Sequence, residues 1–273
     1  MLILAILDRE NTAINTLHAA GEIASRLPES HIVILHPRLD TNPDFQSLDE
    51  GIPTHAEREA FIQETTQRSD ALRDIAARWI QDHDGTVRAQ WMEIAGDVRK
   101  IVAIEAGRAD LVVLSRPLRH DRAEVHKAFA AALYDAEATV LIAPLQRFDT
   151  VGLRPVIAWR PSSALQDVLG QADRLLRTAQ QVTFLIGEDG RRHVENTPDI
   201  IKDLQDAGVP VAVDRFSVTD GHAGEHIREH ALTANADLLI MGAYTHPRFL
   251  EWLFGGATQD ILAHETLPIL THH

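Results

Sequence analysis

The residues best suited to chemistry lie near the end of the chain, in "MGAYTHPRFLEWLFGGAT", residues 241–258. Gly242 closes the apolar run DLLIM, and Gly255-Gly256-Ala257-Thr258 open a stretch, "GATQDILAHE", that reads as a helix. Glycine lets a ligand approach the backbone, and the free N–H groups and dipole at a helix start favour an anion. The chemistry this suggests is the cradling of a phosphate. The same spacing also suits glycines that only shape tight turns. Trp159 ends an expected strand, where its ring could stack on a base; Trp79, Trp91 and Trp252 read as core or interface residues.

A second constellation is "HIREH", with His226, Glu229 and His230 in an H-x-x-E-H order and His222 just upstream. Two histidines one helical turn apart can ligate zinc with the glutamate as base. The competing reading is the exposed flank of a crossover helix whose buried stripe is Ile227, Ala231 and Ala234. With no third ligand apparent, that reading is preferred and no metal is expected. The chain has no G-x-x-x-x-G-K-[ST] loop, and no carboxylate adjoins the glycines to hold Mg²⁺. No residue is therefore assigned as catalytic, and slow nucleotide hydrolysis is the enzymatic alternative.

These residues need elements to position them. Short apolar runs recur at 2–7, 31–35, 86–94, 110–114 and 139–143, and again at 155–159, 182–186, 209–216, 237–241 and 267–271. Their length and β-branched content predict strands buried on both faces. Helical spacing separates them, as in Ile14, Leu17, Gly21, Ala24 and in Leu165, Val168, Leu169, Ala172, Leu175. Thr197-Pro198-Asp199 predicts a helix start and Gly208 its stop. Alternating strands and helices imply a parallel, doubly wound α/β sheet with helices on both faces. "ADLVVLS" and "ADLLIMG" repeat one pattern, which matches Asp110 to Asp237 and Leu141 to Ile269, a gain of one residue. The expectation is two tandem domains, 1–147 and 153–273. A ligand crevice should lie between strands one and four of each half. "PRLDTNPDFQSLDEGIPTH" predicts an exposed insertion in the first half.

Composition narrows the function. The formal net charge is −14, from 40 acidic and 26 basic residues, and the longest basic patch is "GRRH". That disfavours nucleic acid and anionic membranes as partners. With no cysteine the chain has no disulfide or thiol chemistry. "MLILAILDRE" reads as a buried strand rather than a signal peptide, and the expected location is the cytoplasm.

The stretch from "ADLLIMGAY" through "FLEWLF" to "GGATQDILAHETLPIL" resembles the signature of the universal stress protein family. That signature is a glycine, two residues, a glycine, nine residues, then glycine and Ser/Thr. The resemblance implies flavodoxin-like or Rossmann-like domains, each a five-stranded parallel sheet, and an ATP-binding or nucleotide-free role in stress response. Carried over residue by residue, it assigns nucleotide contacts to Gly242, Thr245, Gly255, Gly256, Ala257, Thr258, Trp159 and Arg160. Thr245 stands where the middle glycine belongs, Gly256 at the Ser/Thr position and Arg160 at the family's acid. In the first half Asp8 matches the acid, while Ser115 and Lys127-Ala128-Phe129-Ala130 replace the phosphate glycines. ATP or a related nucleotide is thus expected in the second half only. The family also pairs its last strands across a dimer axis. The resemblance therefore implies an intramolecular pseudo-dimer, Val140–Ala143 against Ile269–Thr271, compatible with a homodimer of whole chains.

Overall fold

The computed structural model describes residues 1–40, 54–118, 120–188, 198–218, 223–242 and 267–272. Five strands form in the first half: β1 (Leu2–Ile6), β2 (His31–Leu39), β3 (Arg88–Gly96), β4 (Leu111–Ser115) and β5 (Thr139–Ala143). Five more follow: β6 (Pro155–Ala158), β7 (Val182–Glu188), β8 (Val211–Ser217), β9 (Leu238–Gly242) and β10 (Ile269–His272). They make one ten-stranded sheet in the order β3-β2-β1-β4-β5-β10-β9-β6-β7-β8. Each half is parallel throughout and reverses its order between its first and fourth strands.

Alternation along β1 shows how the sheet is buried on both sides. Ile3, Ala5 and Leu7 join one apolar cluster with residues of α1 (Glu10–Arg26), α2 (His55–Asp82), α5 (Ser163–Leu176) and α6 (Asp199–Asp206). Leu4 and Ile6 join the other, with α3 (Val98–Ala106), α4 (Ala123–Ala130) and α7 (Ala223–Thr233). α4 runs directly into a π-helical turn, Ala131–Asp135.

The α1 stripe differs from expectation at one residue. Ala13, Leu17, Ala20 and Ala24 are buried, whereas Ile14 is 55% exposed. Ala13 holds the position one turn before Leu17, and Ile14 lies about 100° around the helix. β2 also runs farther than its apolar core, to Leu39. Beyond Leu35 it pairs with β3 alone, so Pro37 sits where its missing donor has no partner on the β1 side. Part of the expected insertion is thus strand, and Thr54 then caps α2 in a capping box with Glu57. Pro198 stands at the N-cap of α6, and Gly208, at φ +83°, ends it in the left-handed region glycine accepts. Thr197 lies outside the described residues.

The two halves correspond atom for atom at their entrances. Asp110 accepts from the Leu2 amide at 2.6 Å, and Asp237 accepts from the Arg154 amide at 2.7 Å. In return the Asp110 amide donates to the Leu2 carbonyl and that of Asp237 to the Arg154 carbonyl. The ladders correct the expected offset at the last strand. Val140 lies beside Val112, and Ile269 beside Leu239, so Ile269 matches Val140 rather than Leu141, and two residues are gained rather than one. β5 and β10 pair antiparallel, with Leu141 opposite Leu270, Ile142 opposite Ile269 and Val140 opposite Thr271. Exchanging the halves maps this set of pairs onto itself, with Leu141 and Leu270 at its centre.

Candidate functional site

In the second half the expected site begins at two neighbouring strand ends. β6 and β9 pair as far as Ile157 and Ile240, and two residues farther on stand Trp159 and Gly242. The Trp159 amide donates to the Leu185 carbonyl at 2.9 Å, and its ring meets Phe184 edge-on, with centroids 5.9 Å apart. Its indole Nε1 is enclosed and has no hydrogen-bond partner among the described residues. Arg160 is exposed.

Gly242 has a local reason to be glycine. A β-carbon there would stand 2.8 Å from the Leu165 amide nitrogen and 3.0 Å from Ser162 Oγ. Ser162 is the N-cap of α5, accepting from Leu165 at 3.1 Å, so the end of β9 lies against a capped helix start. The structure thus brings Trp159, Arg160 and Gly242 to one edge of the sheet. Thr245, Gly255, Gly256, Ala257 and Thr258 lie outside the described residues, as do Trp252 and His222.

The matching crevice of the first half is built differently. Ser115, at the end of β4, is buried with its Oγ 2.7 Å from Thr16 Oγ1. Lys127-Ala128-Phe129-Ala130 is interior α4 helix, with Ala128 and Phe129 in the core. Asp8 follows β1 and is buried; Arg9 Nε donates to its Oδ1 at 3.0 Å, while Oδ2 has no partner among the described residues. Burial pushes its carboxyl above the usual range, Arg9 pulls it down less strongly, and Asp121 raises it further. Arg9 Nη1 pairs with Asp121, and Nη2 donates to the carbonyls of Ser115 (3.4 Å) and Arg116 (3.1 Å). One guanidinium therefore spans the crevice from the end of β1 to the loop after β4. The sequence displays Arg9 beside Asp8, but the partnership with Asp121, 112 residues away, carries no local signal.

The histidine motif resolves into packing. His230 Nδ1 lies 2.6 Å from Asp214 Oδ2, and its ring stacks on Phe216 at 4.2 Å. The His226 ring is 6.2 Å from the same Phe216, and Glu229 is exposed. Among the described residues no group of three or more His, Asp or Glu side chains is placed to hold a metal ion. No helix among them is long and apolar enough to cross a membrane.

No family model matches the sequence, and no curated protein matches it. Solved structures do match the fold. A universal stress protein from Archaeoglobus fulgidus DSM 4304 superposes with a TM-score of 0.71 at 15% identity, covering 98% of this chain and 94% of the other. A functionally unknown protein from Pseudomonas aeruginosa PAO1 gives 0.54 at 15% identity, covering 98% and 91%. A protein from Pseudomonas aeruginosa UCBPP-PA14, assigned as a universal stress protein, gives 0.52 with the same identity and coverage. The fold is that of universal stress proteins, shared over nearly the whole chain.

Proposed function

We propose that this chain is a tandem universal stress protein that works by binding and regulation rather than by turnover. Its domains are residues 1–147 and 153–273. The observation that carries this reading is whole-chain likeness in fold to a universal stress protein, combined with reciprocal pairing of β5 and β10. The two domains form an intramolecular pseudo-dimer about Leu141 and Leu270. Its setting is the cytoplasm, and whole chains can pair further.

ATP or a related nucleotide binds in the second half, at Trp159, Arg160, Gly242, Thr245 and the Gly255–Thr258 loop. The unpartnered Trp159 indole supports this placement. In the first half the corresponding strand ends are tied together by Arg9, and the expected phosphate segment is helix. No general base is assigned to the site, so hydrolysis is absent or very slow.

Mass spectrometry of the denatured protein tests for co-purified nucleotide, and ATP titration of Gly255→Val tests its place. Gly255→Val abolishes binding, whereas Asp8→Asn leaves it intact; the reverse result overturns the assignment. Phosphate release above roughly 1 s⁻¹, ordinary for enzymes, overturns the binding-module reading.

A further inference from the structure

The sheet ends in two edge strands, β3 and β8, which the repeat makes equivalent but which are finished differently. β8 carries charge at its centre, with Asp214 bonded to His230 and Arg215 to Glu188, and charged side chains deter a further strand from adding there. β3 pairs with β2 through nine consecutive residues, Arg88–Gly96, without a bulge or a proline. None of the nine is buried, and among the described residues β2 is the only strand beside it. Its one internal charge, Glu93, is drawn inward to Arg38 Nε at 2.8 Å, Ser69 Oγ at 2.8 Å and Arg73 Nη2 at 2.5 Å. That leaves half-buried Trp91, Met92 and Ile94 along an edge with no outward charge between Arg88 and Gly96. Such an edge is a template for another strand.

The two ends of β3 select the partner. Arg88 is exposed and has no partner among the described residues. Asp97, just past the far end, is also exposed and uses Oδ1 to cap α3 through the Arg99 and Lys100 amides. A second copy laid antiparallel in full overlap turns about Met92. Arg88 then stands opposite Gly96, Ala89 opposite Ala95, Gln90 opposite Ile94 and Trp91 opposite Glu93. No like charges meet. Each Arg88 reaches the end where the other copy offers Asp97, and Gly96 has no side chain in the way. A parallel arrangement would set Arg88 beside Arg88. The flanks fit as well, because α2 packs over both β2 and β3. With strands about 4.8 Å apart, a helix centred on that pair lies about 5 Å from the dimer axis. α2 and its copy would stand about 10 Å apart, an ordinary spacing for packed helices.

We propose that β3 is a self-association edge. Two copies of this chain join antiparallel through β3 about Met92, with Arg88 on Asp97 at both ends, and continue one sheet across both molecules. This repeats between chains the two-fold step that β5 and β10 make within one. It gives the whole-chain pairing proposed above a surface and rests on that reading for nothing else. A failed nucleotide titration leaves it standing, and its own failure leaves the nucleotide site standing.

Analytical ultracentrifugation of the full chain tests this, together with deuterium exchange read over a dilution series. The expected species is a dimer of the 30.3 kDa chain that weakens with salt, and its β3 amides exchange faster on dilution while those of β8 do not change. Arg88→Glu sets two carboxylates side by side at each end and raises the dimer Kd at least about tenfold. Asp97→Asn keeps the cap, loses the charge and weakens the dimer less. Met92→Lys places lysines across the axis and gives monomer, whereas Val213→Lys, on β8, changes nothing. Circular dichroism checks each fold, and should Met92→Lys fail to fold, Arg88→Glu at its exposed position reads the loss. The proposal is overturned if the chain stays monomeric at every concentration, if its dimer withstands Arg88→Glu, or if Val213→Lys dissociates it.

Discussion

Replacing Asp237 by alanine tests the closure of the second half, because this carboxylate does far more than its counterpart in the first. Asp237 is 8% exposed and accepts from Thr150 Oγ1 at 2.7 Å, from the Leu153 amide at 2.8 Å and from the Arg154 amide at 2.7 Å. It is also the leading favourable charge for Arg26, whose enclosed guanidinium nitrogens Nη1 and Nη2 have no hydrogen-bond partner among the described residues. Asp110 is exposed and, among the described residues, its side chain holds the Leu2 amide alone. Hydrogen bonds to a charged group contribute roughly 1.5–3 kcal/mol each, and buried donors left without a partner cost about 1–3 kcal/mol.

The Thr150 hydroxyl can turn toward solvent and the Arg154 amide lies at an exposed residue, so part of the loss is recovered from water. That leaves the Leu153 amide and an Arg26 charge that has lost its leading attraction and keeps that of Glu22, and the expected cost is about 3 kcal/mol. With a urea slope of about 1–3 kcal/mol/M, the midpoint falls by about 1 M or more. Asp110→Ala shifts it much less, and Asp237→Asn falls between, because one oxygen remains to accept. Equilibrium urea unfolding followed by circular dichroism and tryptophan fluorescence measures all three. A loss for Asp237→Ala no larger than that for Asp110→Ala would falsify the reasoning.

Gly21→Ala places a β-carbon 2.8 Å from the buried Trp79 ring and should lower stability by about 1–3 kcal/mol, with a shift in tryptophan emission; unchanged unfolding and emission would show the ring yields freely. Leu141→Pro removes an amide from a fully buried strand paired on both sides, at a cost of about 3 kcal/mol or more, and light scattering should detect aggregation of the opened edges; a clear, stable solution would refute the importance of this ladder. Burial lowers the His36 pKa, so its contribution to stability is full above its unfolded value of about 6.5 and is lost as pH falls toward the folded value. His36→Asn should therefore flatten the fall in urea midpoint from pH 8 to pH 5, and an identical slope in the variant would rule this out. For Asp8 the sign reverses. Its raised pKa favours the neutral form in the fold, so Asp8→Asn should raise the urea midpoint at pH 7 and lose that advantage near pH 4, whereas a loss at pH 7 would show that the Arg9 ion pair dominates.

The inner strands were legible in the sequence because each is a short apolar run buried on both faces, whereas the edge strands β3 and β8, expected to be buried likewise, are largely part-exposed. The repeat also matched the two halves, since Asp110 and Asp237 close the same turn at the amino ends of β4 and β9. What the sequence concealed depends on three-dimensional pairing. Pro37 reads as a loop residue until β2 is seen to outrun β1. Gly242 reads as a ligand glycine, yet the capped start of α5 by itself leaves no room for a side chain. His226 and His230 match a metal motif, but their rings lie against Phe216, and His230 is bonded to Asp214 on the neighbouring strand.

The pairing of β5 with β10 explains why the two crevices can differ so much within one sheet. The contact between halves rests on Val140, Leu141 and Ile142 against Thr271, Leu270 and Ile269, all buried and nearly all apolar. Substitutions there would expose two sheet edges at once. Asp8 and Arg160 occupy matched positions with opposite charge, as the equivalent bonds Leu7 N to Leu35 O and Trp159 N to Leu185 O establish. Neither lies in that strand contact, so a charge reversal there leaves the sheet intact. The closure of each half at Asp110 and Asp237 lies at the opposite end of the strands and is likewise indifferent to it. Shape is thus held by the last strands and the entrance carboxylates, while the carboxyl ends of β1 and β6 are free to specialise. That separation leaves the two crevices free to differ in charge and lining without disturbing the sheet.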